Sequence, residues 1–153
     1  MLESYRPQIG DLWFRKAFLS DPETMAYNRA WGGVIAFPEE KWPEWYALWV
    51  EAPESERFYR YLRDGDRFVG EIAWHRDATR GIYLADVIVP AEYRGRGYGR
   101  AGLRLLCAAA REAGVDALYD DIARDNPAIA LFLSEGFCEE YRTDAIIMLK
   151  KQL

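Results

Sequence analysis

The stretch from Val87 to Leu106, VIVPAEYRGRGYGRAGLRLL, restricts the fold of this 153-residue chain more than any other. An apolar strand ends at Pro90, a short loop follows, and Gly95, Gly97 and Gly99 alternate with other residues before an amphipathic helix begins. Glycine lets a backbone turn tightly and approach a ligand closely, and the unpaired N–H groups of a first helical turn, backed by the helix dipole, favour negative charge. Arg94, Arg96 and Arg100 add cationic side chains at the same place. This order of parts suits a phosphate.

The net charge is -5, which argues against bulk attraction to nucleic acid or an anionic membrane and makes the arginines a local anion site on an acidic protein. Length and a 50% hydrophobic content fit one domain, residues 1–153, with a substantial core. Cys107 and Cys138 are too few for a disulfide framework or metal cluster, and no metal is expected. MLESYRPQIG does not read as a signal sequence, and no apolar run approaches the roughly 20 residues of a membrane span, so the expected location is cytoplasmic.

Helical spacing in IGDLWFRKAFL predicts a helix over Ile9–Leu19, with Asp11 favouring its first turn, and a second short helix follows Ser20, Asp21 and Pro22. Trp42, Trp45, Tyr46 and Trp49 recur at steps of three and four, on one side of a helix starting near Pro43. That stripe is either a packing face or a pocket wall. Asp64-Gly65 separates two alternating segments, a hairpin signal, and a turn near Asp77 to Arg80 leads to a third antiparallel strand, GIYLADVIV. The helix after the glycine loop presents Tyr98, Ala101, Gly102, Leu105, Leu106 and Ala109 on one face and ends at Gly114. ALYDDIA reads as a strand, parallel to GIYLADVIV because a whole helix intervenes. Asn126 or Asp125 caps a further helix, PAIALFLSE, and two strands close the chain around Thr143 and Asp144. The fold class is α/β of the α+β type: a mixed, mainly antiparallel central sheet flanked by helices.

Gly97, Gly99 and Gly102 also satisfy the dinucleotide fingerprint, but that fold needs a run of parallel βα units, and only about 50 residues follow the loop. The alternative is R-x-x-G-x-G, from Arg94, Gly97 and Gly99, after a strand ending in V-x-P, with NPAIALFLSEGF downstream. In this the chain resembles the GNAT superfamily of acyl-CoA-dependent N-acetyltransferases, over Gly70 to the C-terminus. The resemblance implies a fold with a splayed parallel strand pair. It also implies that acetyl-CoA is the donor cosubstrate, its pyrophosphate held by Arg94, Gly95, Arg96, Gly97, Tyr98, Gly99 and Arg100. The pantetheine arm is then expected along Val87, Ile88 and Val89 and near Asn126. Homodimers are common in that family.

Transfer of an acetyl group to an amine needs a neutral amine, and a lysine-like amine has a pKa near 10.4, so a general base is required. Glu71, His75, Asp86, Asp120 and Asp121 qualify by position on the central strands. Glu71 ranks first, being a carboxylate in GEIAWH, which otherwise alternates toward an apolar interior. His75 sits at the strand's end, and Asp86 and Asp121 also suit recognition of a cationic acceptor. Many members of the resembled family carry a tyrosine in the helix before the final Gly-Phe to protonate the leaving sulfur. The matching residue here is Phe132, which has no proton to give; Ser134 or water is the expected substitute, with Tyr141 a more distant one. Tyr27, Trp31, Trp45 and Trp49 are the expected acceptor wall, since aromatic faces attract cations. A peptide or small-molecule primary amine is the expected acceptor. The competing reading is a non-catalytic acyl-CoA-binding module.

Overall fold

A computed structural model describes residues 1–153. Its seven strands form one sheet in the order β1-β2-β3-β4-β5-β7-β6. The strands are β1 (Leu2–Tyr5), β2 (Arg57–Asp64), β3 (Arg67–Asp77), β4 (Ile82–Ile88), β5 (Ala117–Ala123), β6 (Cys138–Arg142) and β7 (Ile146–Gln152). All neighbours are antiparallel except β4 and β5, as the intervening helix led us to expect. The helices are α1 (Trp13–Leu19), α2 (Trp42–Trp49), α3 (Tyr98–Glu112) and α4 (Ala128–Ser134). No helix is long and apolar enough to cross a membrane.

Three local expectations change. β1 was not foreseen; it adds to the edge of β2, with Leu2 opposite Asp64. The first expected helix is a 3-10 turn over Ile9–Leu12 followed by α1, and the second is a 3-10 segment, Thr24–Trp31. At the start of that segment Asp21 accepts from the Thr24 hydroxyl at 2.6 Å and from the Glu23 amide at 3.2 Å, a local bond set that competes with an α-helical turn. The strand into the glycine loop stops at Ile88, two residues before Pro90, and Ala91–Tyr93 makes a 3-10 turn.

Side-chain alternation divides the sheet into two apolar layers. Ile72 and Trp74 of β3, Ala85 of β4 and Leu118 and Ile122 of β5 pack with Leu103, Leu106 and Cys107 of α3 and Phe132 of α4. Tyr59, Tyr61, Ala73 and Ile88 belong to the opposite layer, with Phe14 and Phe18 of α1 and Val50 after α2. The buried stripe of α3 is rotated from the expected one, including Leu103, Cys107 and Ala110 beside Gly102 and Leu106. Gly102 permits close contact: a Cβ there would lie 2.6 Å from Leu62 Cδ1. At Gly70 a Cβ would lie 2.8 Å from the Ile88 carbonyl oxygen, so β3 and β4 approach here only because the side chain is absent.

Candidate active site

The parallel seam is two residue pairs long, Tyr83 with Leu118 and Leu84 with Tyr119. Beyond it β4 stays with β3, as Ala85 to Ile88 pair with Trp74 to Glu71, and β5 stays with β7, as Asp120 to Ala123 pair with Leu149 to Ile146. The strands diverge, and one edge of Ala85–Ile88 has no strand partner. An extended ligand can add there as a strand would.

The glycine loop lies at the open end of this split. Gly95 and Gly97 have φ of 78° and 84°, a left-handed region that costs glycine nothing, and Gly97 leads into α3. The amides of Gly95, Arg96, Gly97, Tyr98, Gly99 and Arg100 donate to no protein acceptor, while the next amide, Ala101, bonds the Gly97 carbonyl at 3.1 Å. Six consecutive free donors make a nest for an anion.

The arginines divide their labour. Arg94 braces the loop, its Nε donating to the Val89 carbonyl at 3.0 Å and its Nη2 to the Thr24 carbonyl at 2.9 Å. Thr24 is fully buried, and its hydroxyl accepts the Ala91 amide at 3.0 Å, tying the same 3-10 segment to the strand end. Arg100 and Arg104 both grip Glu135, whose carboxyl is pulled down to about 2, first by the Arg104 hydrogen bonds and then by those of Arg100. Arg96 forms no hydrogen bond or ion pair and lies 5.8 Å above the Tyr93 ring, so its guanidinium is the free cation of the loop.

On the α1/α2 face of the sheet a buried ion pair supports the split. Arg15 Nη1 donates to Glu71 Oε2 at 2.6 Å, with side-chain exposures of 16% and 2%, and the Tyr59 hydroxyl donates to the same oxygen. The guanidinium carbon sits 4.6 Å from the Trp45 ring centre and 5.4 Å from that of Phe37. Burial by itself lowers the Arg15 pKa, but the Glu71 and Tyr59 charges reverse this and raise it. Sequence reasoning missed Arg15; its one signal is a cation inside the aromatic run WFRKAFL.

Asp86 pairs in register with Ala73 and so shares the face of Glu71. Its surface is open to the cleft, yet it is ringed by protein and accepts no hydrogen bond from it. Loss of hydration raises its carboxyl to about 7, with a further push from the Glu71 charge and a smaller opposing pull from Arg15. Tyr27 packs on this layer, its pKa raised first by burial and then by the Asp86 and Glu71 charges.

The pattern of the acetyltransferase (GNAT) family matches residues 15–137, most of the chain. The chain belongs to the GNAT acetyltransferase family. Solved structures agree in fold. The GNAT domain of S. lividans PAT superposes with a TM-score of 0.80 at 17% identity, covering 99% of this chain and 89% of that one. Spermidine N-acetyltransferase from Vibrio cholerae, in complex with CoA and spermine, gives a TM-score of 0.80 at 18% identity over 99% of this chain and 95% of that one. The PaiA N-acetyltransferase of Thermoplasma acidophilum, in complex with coenzyme A, gives 0.72 at 14% identity over 100% and 99%. Among curated proteins, human Opsin-5 is 39% identical over 46 residues; the match spans 30% of this chain and only 13% of the opsin, too small a share to carry an argument.

Within this GNAT fold the remaining sequence candidates separate. Asn126 uses Oδ1 to accept the Ala128 amide at 2.9 Å, capping α4, and its side-chain N–H groups stay free. Ser134 is at the exposed end of α4, donating to the Leu131 carbonyl at 2.7 Å and accepting from Arg100 at 3.0 Å, a setting that leaves it engaged and on the surface. Asp121 lies 3.7 Å from Arg80 at the sheet surface. His75 packs edge-on to Trp49, and burial followed by the Arg57 charge lowers its pKa, keeping the imidazole neutral. Trp45 and Trp49 stack at 6.2 Å and are half-buried, while Trp31 is 61% exposed and stands off the wall that Tyr27 and Trp45 make. Glu71 differs most from expectation: its Oε2 is locked by Arg15 and Tyr59, the setting of a fixed charge rather than of a mobile base.

Proposed function

We propose that this GNAT member transfers an acetyl group from acetyl-CoA directly to a primary amine of a small molecule or peptide, with Asp86 as the general base. The observation that carries this reading is Asp86 itself, an unpartnered carboxyl of pKa about 7 one turn of the pleat beyond the two-residue seam. The six free amides from Gly95 to Arg100, with Arg96, suit the CoA pyrophosphate, and the free edge of Val87 and Ile88 suits the pantetheine amides. A thioester lying along that edge points its carbonyl at backbone N–H donors of β4, which stabilise the charge that develops on oxygen.

The chemistry then divides by face. The acceptor ammonium enters from the α1/α2 side, between Tyr27, Trp45 and the carboxylates, where aromatic and anionic groups favour a cation. Asp86 removes one proton and the amine lone pair attacks the thioester carbon. Arg15 and Glu71 hold the wall and set the potential at Asp86. CoA- and spermine-bound V. cholerae spermidine N-acetyltransferase has the same fold, which supports testing polyamines early in the acceptor panel. Asp86 must be ionised to act, so kcat rises with pH through about 7.

Incubation with acetyl-CoA and a panel of amines, following thiol release, tests the activity. Asp86→Asn is expected to lower kcat by roughly 10²-fold or more and to remove the acidic limb of the pH profile. Phe132, 3% exposed and packed at 5.0 Å against Phe137, supports the second reading, an acyl-CoA-binding module without turnover. Tight CoA binding with no thiol release on any amine would establish that alternative.

A further inference from the structure

The α3/α4 face of the split carries its own carboxyl. Along β5 the residues Leu118 and Ile122, 0% and 5% exposed, face the apolar layer that holds Phe132 and Leu103. The alternation that buries them places Asp120 between them on the same side, an acid at a position the strand otherwise reserves for apolar residues. Asp120 pairs in register with Leu149 of β7 and follows Tyr119, the last residue of β5 joined to β4. It therefore sits where the two strands begin to part. Its side chain accepts no hydrogen bond and has no ion-pair partner within the protein, although it is only partly exposed.

We infer that Asp120 is the proton donor to the departing CoA sulfur, occupying the role that Phe132 cannot fill. The inference rests on the acetyltransferase reading above. Asp86 and Asp120 lie on opposite faces of the sheet, flanking the place where a thioester threading the split presents its carbon and sulfur. The amine reaches the carbon from the Asp86 side, and the sulfur leaves toward the side of Asp120 and the α3 loop that holds the nucleotide. As the nitrogen–carbon bond forms, the carbon–sulfur electron pair departs with sulfur. The Asp120 proton passes to that sulfur, giving free thiol and an Asp120 carboxylate. Asp86 meanwhile holds the proton taken from the ammonium, the second nitrogen proton is lost to water as the amide forms, and exchange with water returns both carboxyls to their starting states.

The charges around Asp120 favour this assignment. β4 contributes Asp86, its own strand contributes Asp121, β7 contributes Leu149 and α4 contributes Phe132; no cation acts on it. Burial first, and then the Asp86 and Asp121 charges, hold its proton well above the ordinary carboxylate range. Two carboxyls at one reaction centre are thus separated, the more open one ionising near 7 as base and the more enclosed one retaining its proton as acid.

Two variants test this, Asp120→Asn and Asp120→Leu, each measured for CoA affinity by calorimetry, for Tm, and for the kcat–pH profile on the best amine. The expected result is a fall in kcat of about 10²-fold, toward the low end for a general acid because a thiolate is a tolerable leaving group, with loss of the alkaline limb and CoA affinity within threefold of wild type. Asp120→Leu restores the apolar alternation, so its Tm is expected to rise while its kcat falls, a divergence that a purely structural role does not produce. Wild-type kcat and an intact alkaline limb in Asp120→Asn would overturn the inference while leaving the acetyltransferase reading in place. Loss of CoA affinity or folding in both variants in parallel with kcat would overturn it too. Failure of the wild-type protein to acetylate any amine would instead overturn the reading on which it rests.

Discussion

Replacing Arg15 by Met removes the cation that offsets Glu71 while keeping an apolar stem of similar length. The wild-type pair is 2.6 Å long and almost sealed, with Glu71 2% exposed. Breaking a buried pair by deleting one partner costs about 3–5 kcal/mol, because a charge is left without compensation. The Tyr59 hydroxyl still donates to Glu71, and the Met sulfur can lie against Trp45, so the low end, about 3 kcal/mol, applies. For a chain of this size that corresponds to a Tm lower by roughly 6–12 °C near pH 8. Thermal unfolding followed by circular dichroism at pH 8 measures the loss. Adding Glu71→Gln should recover most of the lost stability, because neutralising the second partner removes the orphaned charge. A loss below 3 °C at pH 8, or a double variant no better than Arg15→Met, would refute the assignment of a stability-bearing buried pair.

Two glycines give independent tests. Gly97→Val forces a β-branched residue to φ 84°, and a left-handed strain of about 1–2 kcal/mol predicts CoA binding weaker by roughly 5- to 30-fold in calorimetry, although nothing lies within 4 Å of the new Cβ. Gly70→Ala sets a Cβ 2.8 Å from the Ile88 carbonyl oxygen; a cost of about 1–3 kcal/mol in urea unfolding is expected, and an unchanged midpoint would show that β3 and β4 can part there without penalty.

Much of the sheet and the glycine loop could be read locally. The hairpin at Asp64-Gly65, the left-handed cap at Gly114 and the helix after the glycines each depend on turn chemistry or spacing within a few residues, and the structure follows them. β1 escaped because four residues with only partial burial carry no usable alternation. The candidate carboxylates were legible as a set but not by arrangement. Glu71 was marked as unusual because its strand is apolar, which is correct, yet its partner lies 56 positions earlier in sequence and no periodicity connects the two. The face of Asp86 follows from register with Ala73, and register is a property of the assembled sheet. Arg94 shows the same limit: its charge suggested phosphate, while its bonds to Val89 and Thr24 arise only when the 3-10 segment folds over the loop.

The two-pair seam between β4 and β5 has a mechanical consequence. The sheet consists of one four-stranded and one three-stranded ribbon, stitched side to side at Tyr83–Leu84 and held otherwise by the helices laid across them. Opening that stitch breaks few main-chain bonds, so the seam is where the sheet yields at least cost. A guest lying along the free edge of Ala85–Ile88 supplies the missing stitches. On the acetyltransferase reading, the two ribbons are tied most firmly while the donor is bound.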